Sequence, residues 1–263
     1  MVKNNNNKIL LVHKENKFDS TKQAVKKVEE VLKQKKIVYK KIPVSMLLKE
    51  DLTGFEKVII LGGDGTILKT CKYIYNQGVI LINSCPTSSK GVIDEFTIDE
   101  LDKLAQILDG KFTTKLRQRI EVRVNNSSIE DPILNETFFG SAHACMIAEY
   151  EINYSGKKEI QKSSGVLIAS GTGSTAWYNS AGGKPFDPSE EKVLFLVREP
   201  YNKEKEKLNI FEGIATGTDF KLVVKKEDMC LSMDSYHVQL LKKEDKVTFK
   251  LSKFPLKVLC PAK

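Results

Sequence analysis

Residues 61 to 66 read Leu-Gly-Gly-Asp-Gly-Thr, between the apolar run "EKVII" and the segment "ILKTCKYIY". An acid set among glycines at the junction of an apparent strand and an apparent helix raises a question of chemistry. Gly62 and Gly63 stand where missing side chains let backbone amides approach phosphate oxygens. The spacing G-G-x-G lacks the third glycine of the dinucleotide fingerprint, and no Gly-Lys-Ser/Thr ending makes it a P-loop. A carboxylate beside phosphates is electrostatically unfavourable unless it works there. Asp64 then either accepts a proton from an attacking hydroxyl or helps to hold a magnesium ion. The bland alternative is that Asp64 only caps the helix that starts near Thr66.

A second constellation lies downstream. "LNETFFG" (134–140) sets Asn135 and Glu136 side by side at the start of a strand. "KSSGVLIASGTGSTAWYNSAGG" (162–183) runs from a strand into a turn rich in Gly, Ser and Thr, then into a short helix. Amides and hydroxyls at such a turn suit polar or anionic ligand groups, and a plain capping turn is the competing reading. In "LRQR", Arg117 and Arg119 suit bidentate phosphate binding. At an alternating strand position, an outward, ion-paired arginine is equally consistent. Lys162 reads first as an exposed lysine, with pairing to a phosphate as the alternative, and His143 as a packed histidine without a catalytic part.

The elements that must position these residues change in kind along the chain. From residue 8 to about 110, apolar runs of buried-strand length alternate with helical patterns: 8–13, 37–42, 57–61 and 79–83 as strands, and 18–36, 66–77 and 97–109 as helices. Asp19 or Ser20 is the expected cap of the first helix; Thr97 is the expected cap of the last, with Gly110 just past its end. That alternation implies an N-terminal doubly wound, Rossmann-like α/β domain. Beyond residue 111, "LRQRIEVRVNN", "EYEINYSG", "FKLVVKK", "MCLSM" and "KVTFKL" alternate and are separated by turn residues, implying a mainly antiparallel β domain of sandwich type. One helical interruption is expected near 173–181. The expected division is 1–113 for the α/β nucleotide-binding domain and 114–240 for the all-β domain, with about 241–263 returning to the first. "NKEKEKLN" (202–209) reads as an exposed charged loop and Asn4 to Asn7 as a frayed leader.

Composition narrows the class. The 263 residues are 41% hydrophobic and 29% charged, as in an ordinary globular protein, and no apolar run approaches the ~20 residues that span a bilayer. The net charge of +8 comes from lysines spread along the chain, not banded with aromatics, which argues against nucleic acid. Five cysteines without metal-ligand spacing, three histidines, and an N-terminus lacking signal or transit character lead to the expectation of a reduced cytoplasmic setting with no histidine-rich metal site.

"GGDGT" resembles the signature shared by NAD kinases, diacylglycerol kinases and phosphofructokinases. With Asn135-Glu136 and "GTGSTAW" following in order, the chain is similar to the NAD kinase family. "INSCPTSSKG", "LRQRIEV", "QKSSG" and "SEEKVLFLVREP" look closest to its mitochondrial-type branch. The resemblance implies transfer of the ATP γ-phosphoryl group to the 2′-hydroxyl of the adenosine ribose of NAD, with a magnesium ion accompanying ATP. It implies Asp64 as general base, and Gly62, Gly63, Gly65 and Thr66 as the phosphate-approaching turn. Asn135 and Glu136 would bind the dinucleotide, and Thr172, Thr175, Ala176, Trp177 and Ser180 would line its base pockets. A homodimer or homotetramer is implied as well, and no membrane or nucleic-acid partner. The chain departs from the family pattern at Trp177, where Tyr is usual, and at Ser164-Gly165 and Asp234-Ser235, where Asp-Gly is usual. "SCPTSSKG" replaces the usual Gly-x-Leu-Gly-Phe segment after Asn83. A GGDGT-type kinase for another hydroxyl and a non-catalytic dinucleotide sensor are the alternatives.

Overall fold

The computed structural model describes residues 8–15, 19–86, 93–201, 208–217 and 220–262. The Asn run at 4–7, most of "SCPTSSKG" and most of the charged segment 202–209 lie outside them. So do the side chains of Asp19 and Ser20, and with them the expected cap of the first helix.

The chain divides into two compact units, residues 1–116 with 256–263, and residues 117–255. In the first, β1 (Lys8–His13), α1 (Asp19–Gln34), β2 (Val38–Pro43), β3 (Lys57–Leu61), α2 (Asp64–Cys71), β4 (Gly78–Asn83), β5 (Phe96–Thr97), α3 (Leu101–Leu108) and β6 (Phe112–Arg117) follow one another. β1 pairs in parallel with β2 and β3, and β3 with β4. The continuous apolar runs explain this arrangement, since a parallel sheet is buried on both faces. Ile9, Leu11, Ile59, Leu61, Ile80 and Ile82 pack with Val25, Val28 and Leu32 of α1 and Leu104 and Ile107 of α3. The alternate residues Leu10, Val12, Val58, Ile60, Val79 and Leu81 point to the opposite face and are also fully buried.

Two helices depart from the sequence expectation, at three of their boundaries. α2 begins at Asp64, not near Thr66, and ends at Cys71 instead of Gln77. The early end has a local cause: the Gln77 side-chain oxygen accepts the N–H groups of Tyr75 and Asn76, competing with helical bonding. At α3 the cap is Glu100, not Thr97. Thr97 belongs to β5, and its N–H and hydroxyl both donate to the Glu100 carboxylate. The Glu100 carboxylate thus ties up Thr97's own N–H and hydroxyl, and α3 starts without a side-chain cap bond. Gly110, with φ of +82°, ends α3 as expected: Lys111 N–H bonds Gln106 O and Gly110 N–H bonds Ile107 O, the Schellman pattern.

The second unit carries β7 (Ile120–Val124), β8 (Ser127–Ser128), β9 (Glu136–Ser141), β10 (Ala148–Tyr154), β11 (Lys157–Ser163), β12 (Gly165–Ala169), the single helical turn α4 (Trp177–Ser180), β13 (Leu194–Arg198), β14 (Glu212–Ile214), β15 (Lys221–Val224), β16 (Met229–Met233), β17 (His237–Leu241) and β18 (Lys246–Leu251). They form two sheets, in the orders β11-β10-β15-β18-β7-β8 and β14-β13-β12-β9-β16-β17. Alternate residues of both sheets, among them Tyr150, Leu222 and Phe249 from one and Phe139, Ile168 and Phe195 from the other, share a single core. This is a β-sandwich joined to an α/β unit. Within 241–263, Lys246–Leu251 pairs with β15 and β7, and only β19 (Leu256–Pro261) enters the parallel sheet, beside β4. No helix among the described residues is long and apolar enough to cross a membrane.

Candidate active site

In the first unit the loops at the carboxyl ends of β1, β2 and β3 meet around a cavity of about 500 Å³, lined by Lys14, Glu15, Val44, Ser45, Gly63, Asp64, Gly65, Thr66 and Lys69. That end of an open parallel sheet is where ligands bind. The glycine turn is shaped for it. Gly62 N–H bonds Ile82 O at 3.0 Å, continuing the sheet, and a Cβ on Gly62 would lie 2.4 Å from the Thr66 hydroxyl. Gly65, by contrast, faces open space. Asp64 occupies the first position of α2, while Gly63 is the N-cap. Asp64 is therefore not the capping residue, and the helix dipole favours its charge there. One carboxylate oxygen accepts Ile93 N–H at 3.3 Å. Lys14 and Lys69 place two cations in the same wall, and Glu15 accepts a short hydrogen bond from Ser45. Sequence reasoning passed over Lys14, Ser45 and Lys69. The signal was positional: Lys14 directly follows β1, Ser45 lies two residues past β2, and Lys69 stands one helical turn beyond Gly65.

In the second unit, Glu136 opens β9 with Asn135 just before it, and both are buried, Asn135 at 7% and Glu136 at 6% exposure. The turn after β12 wraps them. Ser170 donates its N–H to Asn135 O at 2.9 Å and its hydroxyl to Leu134 O at 2.5 Å. Gly173 lies so close that a Cβ there would come within 2.1 Å of the Asn135 carbonyl oxygen. Gly173→Ala is accordingly expected to push the Asn135 backbone aside, lowering stability by about 1–3 kcal/mol. Thermal unfolding measures the effect; an unchanged melting temperature would contradict the contact.

Three of the sequence-predicted residues share one property. Asn135 Oδ1, Glu136 Oε2 and Thr172 Oγ1 are buried and have no hydrogen-bond partner among the described residues. Buried polar atoms are almost always paired, so acceptors left open suit the hydroxyl donors of a sugar. Burial first, and then the negative charge of Asp234, push the Glu136 carboxyl up to about 7. Thr175 donates its hydroxyl to Thr172 O, and Ser180 to Ala176 O. Ala176 is the N-cap of α4, and Thr175 and Ser180 are exposed.

Trp177 looks onto a second cavity of about 430 Å³, shared with Phe138, His143, Ser164, Arg198 and Ser232. Its ring lies 5.2 Å from that of Phe138, and the Arg198 guanidinium sits 5.1 Å from its centroid, within cation–π range. His143, expected to be packed, is exposed and lines this cavity. Its sequence "GSAHACM" leaves β9 and enters a loop, so no apolar periodicity was there to bury it. Arg119 is fully buried and donates Nε–H to Phe254 O at 2.6 Å, which is neither a surface ion pair nor an exposed phosphate contact. Lys162 is half-exposed and 3.8 Å from Glu149. Asp64, Gly62, Gly63, Gly65 and Thr66 thus cluster in the α/β unit. Asn135, Glu136 and Thr172 cluster in the β unit, with Thr175, Ala176, Trp177 and Ser180 on the adjoining turn and helix. No group of three or more His, Cys, Asp or Glu among the described residues is arranged to hold a metal ion.

Comparison with known proteins bears on both clusters. Residues 134–260 match the model of the ATP-NAD kinase C-terminal domain. An NAD kinase from Fusobacterium nucleatum is 31% identical over 264 residues, spanning 97% of this chain and 92% of its own length. One from Aquifex aeolicus is 27% identical, spanning 87% and 85%. Among solved structures, an NAD kinase from Archaeoglobus fulgidus in complex with ATP superposes with a TM-score of 0.75 at 20% identity, covering 95% of this chain and 92% of that one. Yeast NADH kinase complexed with NADH gives 0.78 at 19%, covering 97% and 83%. These two share the fold. The likeness to the mitochondrial-type branch rests on the sequence strings alone.

Proposed function

The chain belongs to the NAD kinase family, and from that premise we propose that it transfers the γ-phosphoryl group of ATP to the 2′-hydroxyl of the adenosine ribose of NAD, giving NADP and ADP. The observation that carries this reading is the placement of Asp64. Its carboxylate stands at the head of α2, in the wall of a cavity that also holds Lys14 and Lys69. Phosphoryl transfer asks the protein mainly for positioning and for neutralisation of charge. Lys14, Lys69 and the amides of Gly63 and Gly65 supply cationic and N–H contacts to the triphosphate. Asp64 accepts the proton of the 2′-hydroxyl as its oxygen attacks the γ-phosphorus and ADP leaves. Asn135, Glu136 and Thr172 receive the hydroxyl groups of the dinucleotide with the acceptors that the fold leaves open. Thr175, Ala176, Trp177 and Ser180 border its bases.

A magnesium ion fits this donor set as a companion of ATP. Beside the Asp64 base, Glu15 would offer a carboxylate but no protein cage, and magnesium is commonly held by one or two carboxylates together with substrate phosphates. When bound, it neutralises charge on the β- and γ-phosphates. We place the enzyme in the cytoplasm, as a homodimer or homotetramer.

Purified protein given ATP, Mg²⁺ and NAD is expected to form NADP only when all three are present, as followed by coupled NADP-specific reduction. NAD binding without NADP would favour a dinucleotide sensor. Neither binding nor turnover would reject the reading.

A further inference from the structure

The turn between β16 and β17 faces the start of β9. Its residues Asp234 and Ser235 both adopt left-handed backbone, with φ of 47° and 61°, and Tyr236 N–H closes the turn onto Met233 O at 3.2 Å. Aspartate and asparagine tolerate that conformation better than most residues. Asp234 is 3% exposed, and its carboxylate reaches a strand some hundred positions earlier in the chain. It accepts the N–H of Leu134 at 2.8 Å through one oxygen, and those of Asn135 at 2.7 Å and Glu136 at 3.3 Å through the other. In return its own N–H donates to Glu136 O at 3.0 Å.

We propose that Asp234 is the positioning residue that fixes the Asn135–Glu136 pair for the dinucleotide. The proposal rests on the reading that this pair binds NAD, and adds the element that holds it. Three N–H groups on one carboxylate are charge-assisted bonds, individually stronger than neutral ones. They fix successive peptide units, so the direction in which the Asn135 and Glu136 side chains leave the backbone is set by Asp234. The charge has a second effect. Among the described residues, the charge acting on Glu136 is that of Asp234, and the charge acting on Asp234 is that of Arg119, just before β7. Burial raises both carboxyls, but at Asp234 the three N–H groups and Arg119 oppose the rise, and none of them acts on Glu136. Asp234 is thus the first of the two to carry the charge, and Glu136 keeps its proton longer. Affinity for NAD, where Glu136 must accept a hydroxyl proton, then rises with pH through neutrality.

Asp234→Asn tests this with the turn kept, because asparagine suits the left-handed backbone. It removes the charge and turns an amide –NH₂ against one of the strand's N–H groups. By calorimetry NAD is expected to bind at least ~10-fold more weakly, with ATP affinity within about two-fold of wild type. The pH at which NAD binding is half-strengthened is expected to move downward, since Glu136 loses the neighbouring charge. Ser235→Gly should change none of these. A variant with wild-type NAD affinity and the same pH midpoint would overturn the proposal. If Asp234→Asn does not fold, NMR of the wild type decides. The amide protons of Leu134 and Asn135 should shift together as pH falls through about 6, and constant shifts would refute the contact. A wild type that binds NAD without phosphorylating it would overturn the kinase reading and leave this measurement standing. One that binds no NAD overturns both.

Discussion

Asp64→Asn is expected to lower kcat for NADP formation by ~10²–10⁴-fold, the range a positioned general base contributes, with NAD affinity and fold retained. The substitution is nearly isosteric. It keeps an oxygen to accept Ile93 N–H and leaves the Gly63 cap untouched. Losing a negative charge from the first turn of α2 costs the helix roughly 0.3–1 kcal/mol, too little to unfold the unit. The loss should therefore fall on kcat and not on KM for NAD. KM for ATP should stay level or drop, because a carboxylate beside the triphosphate has become neutral. Steady-state kinetics with both substrates, alongside a thermal melt, separate these outcomes. A kcat within about three-fold of wild type would end the case for Asp64 as base. It would leave Asp64 as a first-turn carboxylate serving the helix alone.

The parts of this molecule that were legible in the sequence are those fixed by local chemistry. "KILLVH", "KVIIL" and "VILIN" could only be buried strands of a parallel sheet, and the glycine turn after "KVIIL" had to open a helix on the ligand side of that sheet. The alternation beyond residue 111 likewise required two-faced strands, and it yielded the sandwich. Errors arose where a neighbouring side chain took over a backbone donor. Gln77 ended α2 early, and Glu100 displaced Thr97 as the cap of α3. Either competing residue was a plain polar position in a pattern. What sequence could not disclose was anything held by partners far along the chain. Asn135 and Glu136 were visible as a pair, but the turn at Gly173 that abuts Asn135 and the carboxylate of Asp234 that pins the strand start were not. The same holds for Lys14, Ser45 and Lys69, which become neighbours only when β1, β2 and β3 lie side by side.

Glu136→Gln is expected to move stability and binding in opposite directions. In the folded protein the Glu136 carboxyl is raised from 4.5 to about 7, by burial first and then by Asp234. Between those two values the native state holds a proton that the unfolded chain has released. Stability contributed by the protonated acid is thus complete below the unfolded value and is lost as pH rises through about 7. Above that, a buried carboxylate with an unpartnered oxygen persists at a cost on the order of 1–3 kcal/mol. A glutamine is the permanent analogue of the neutral acid. The variant should melt above wild type at pH 8, and the two curves should converge only as pH falls to about 4.5, the unfolded value. Its affinity for NAD at pH 8 should nonetheless fall by ~10–100-fold, because a charged acceptor for a sugar hydroxyl has been replaced by a neutral one. Melting curves across this pH range, with NAD calorimetry at pH 8, test both. A variant less stable than wild type at pH 8 would mean that Glu136 is held by a contact its carboxylate needs for folding. A more stable variant with intact NAD affinity would mean that the open acceptor is not what the dinucleotide uses. The expected pairing, gained stability with lost binding, would identify Glu136 as a carboxylate retained for its ligand against the preference of the fold.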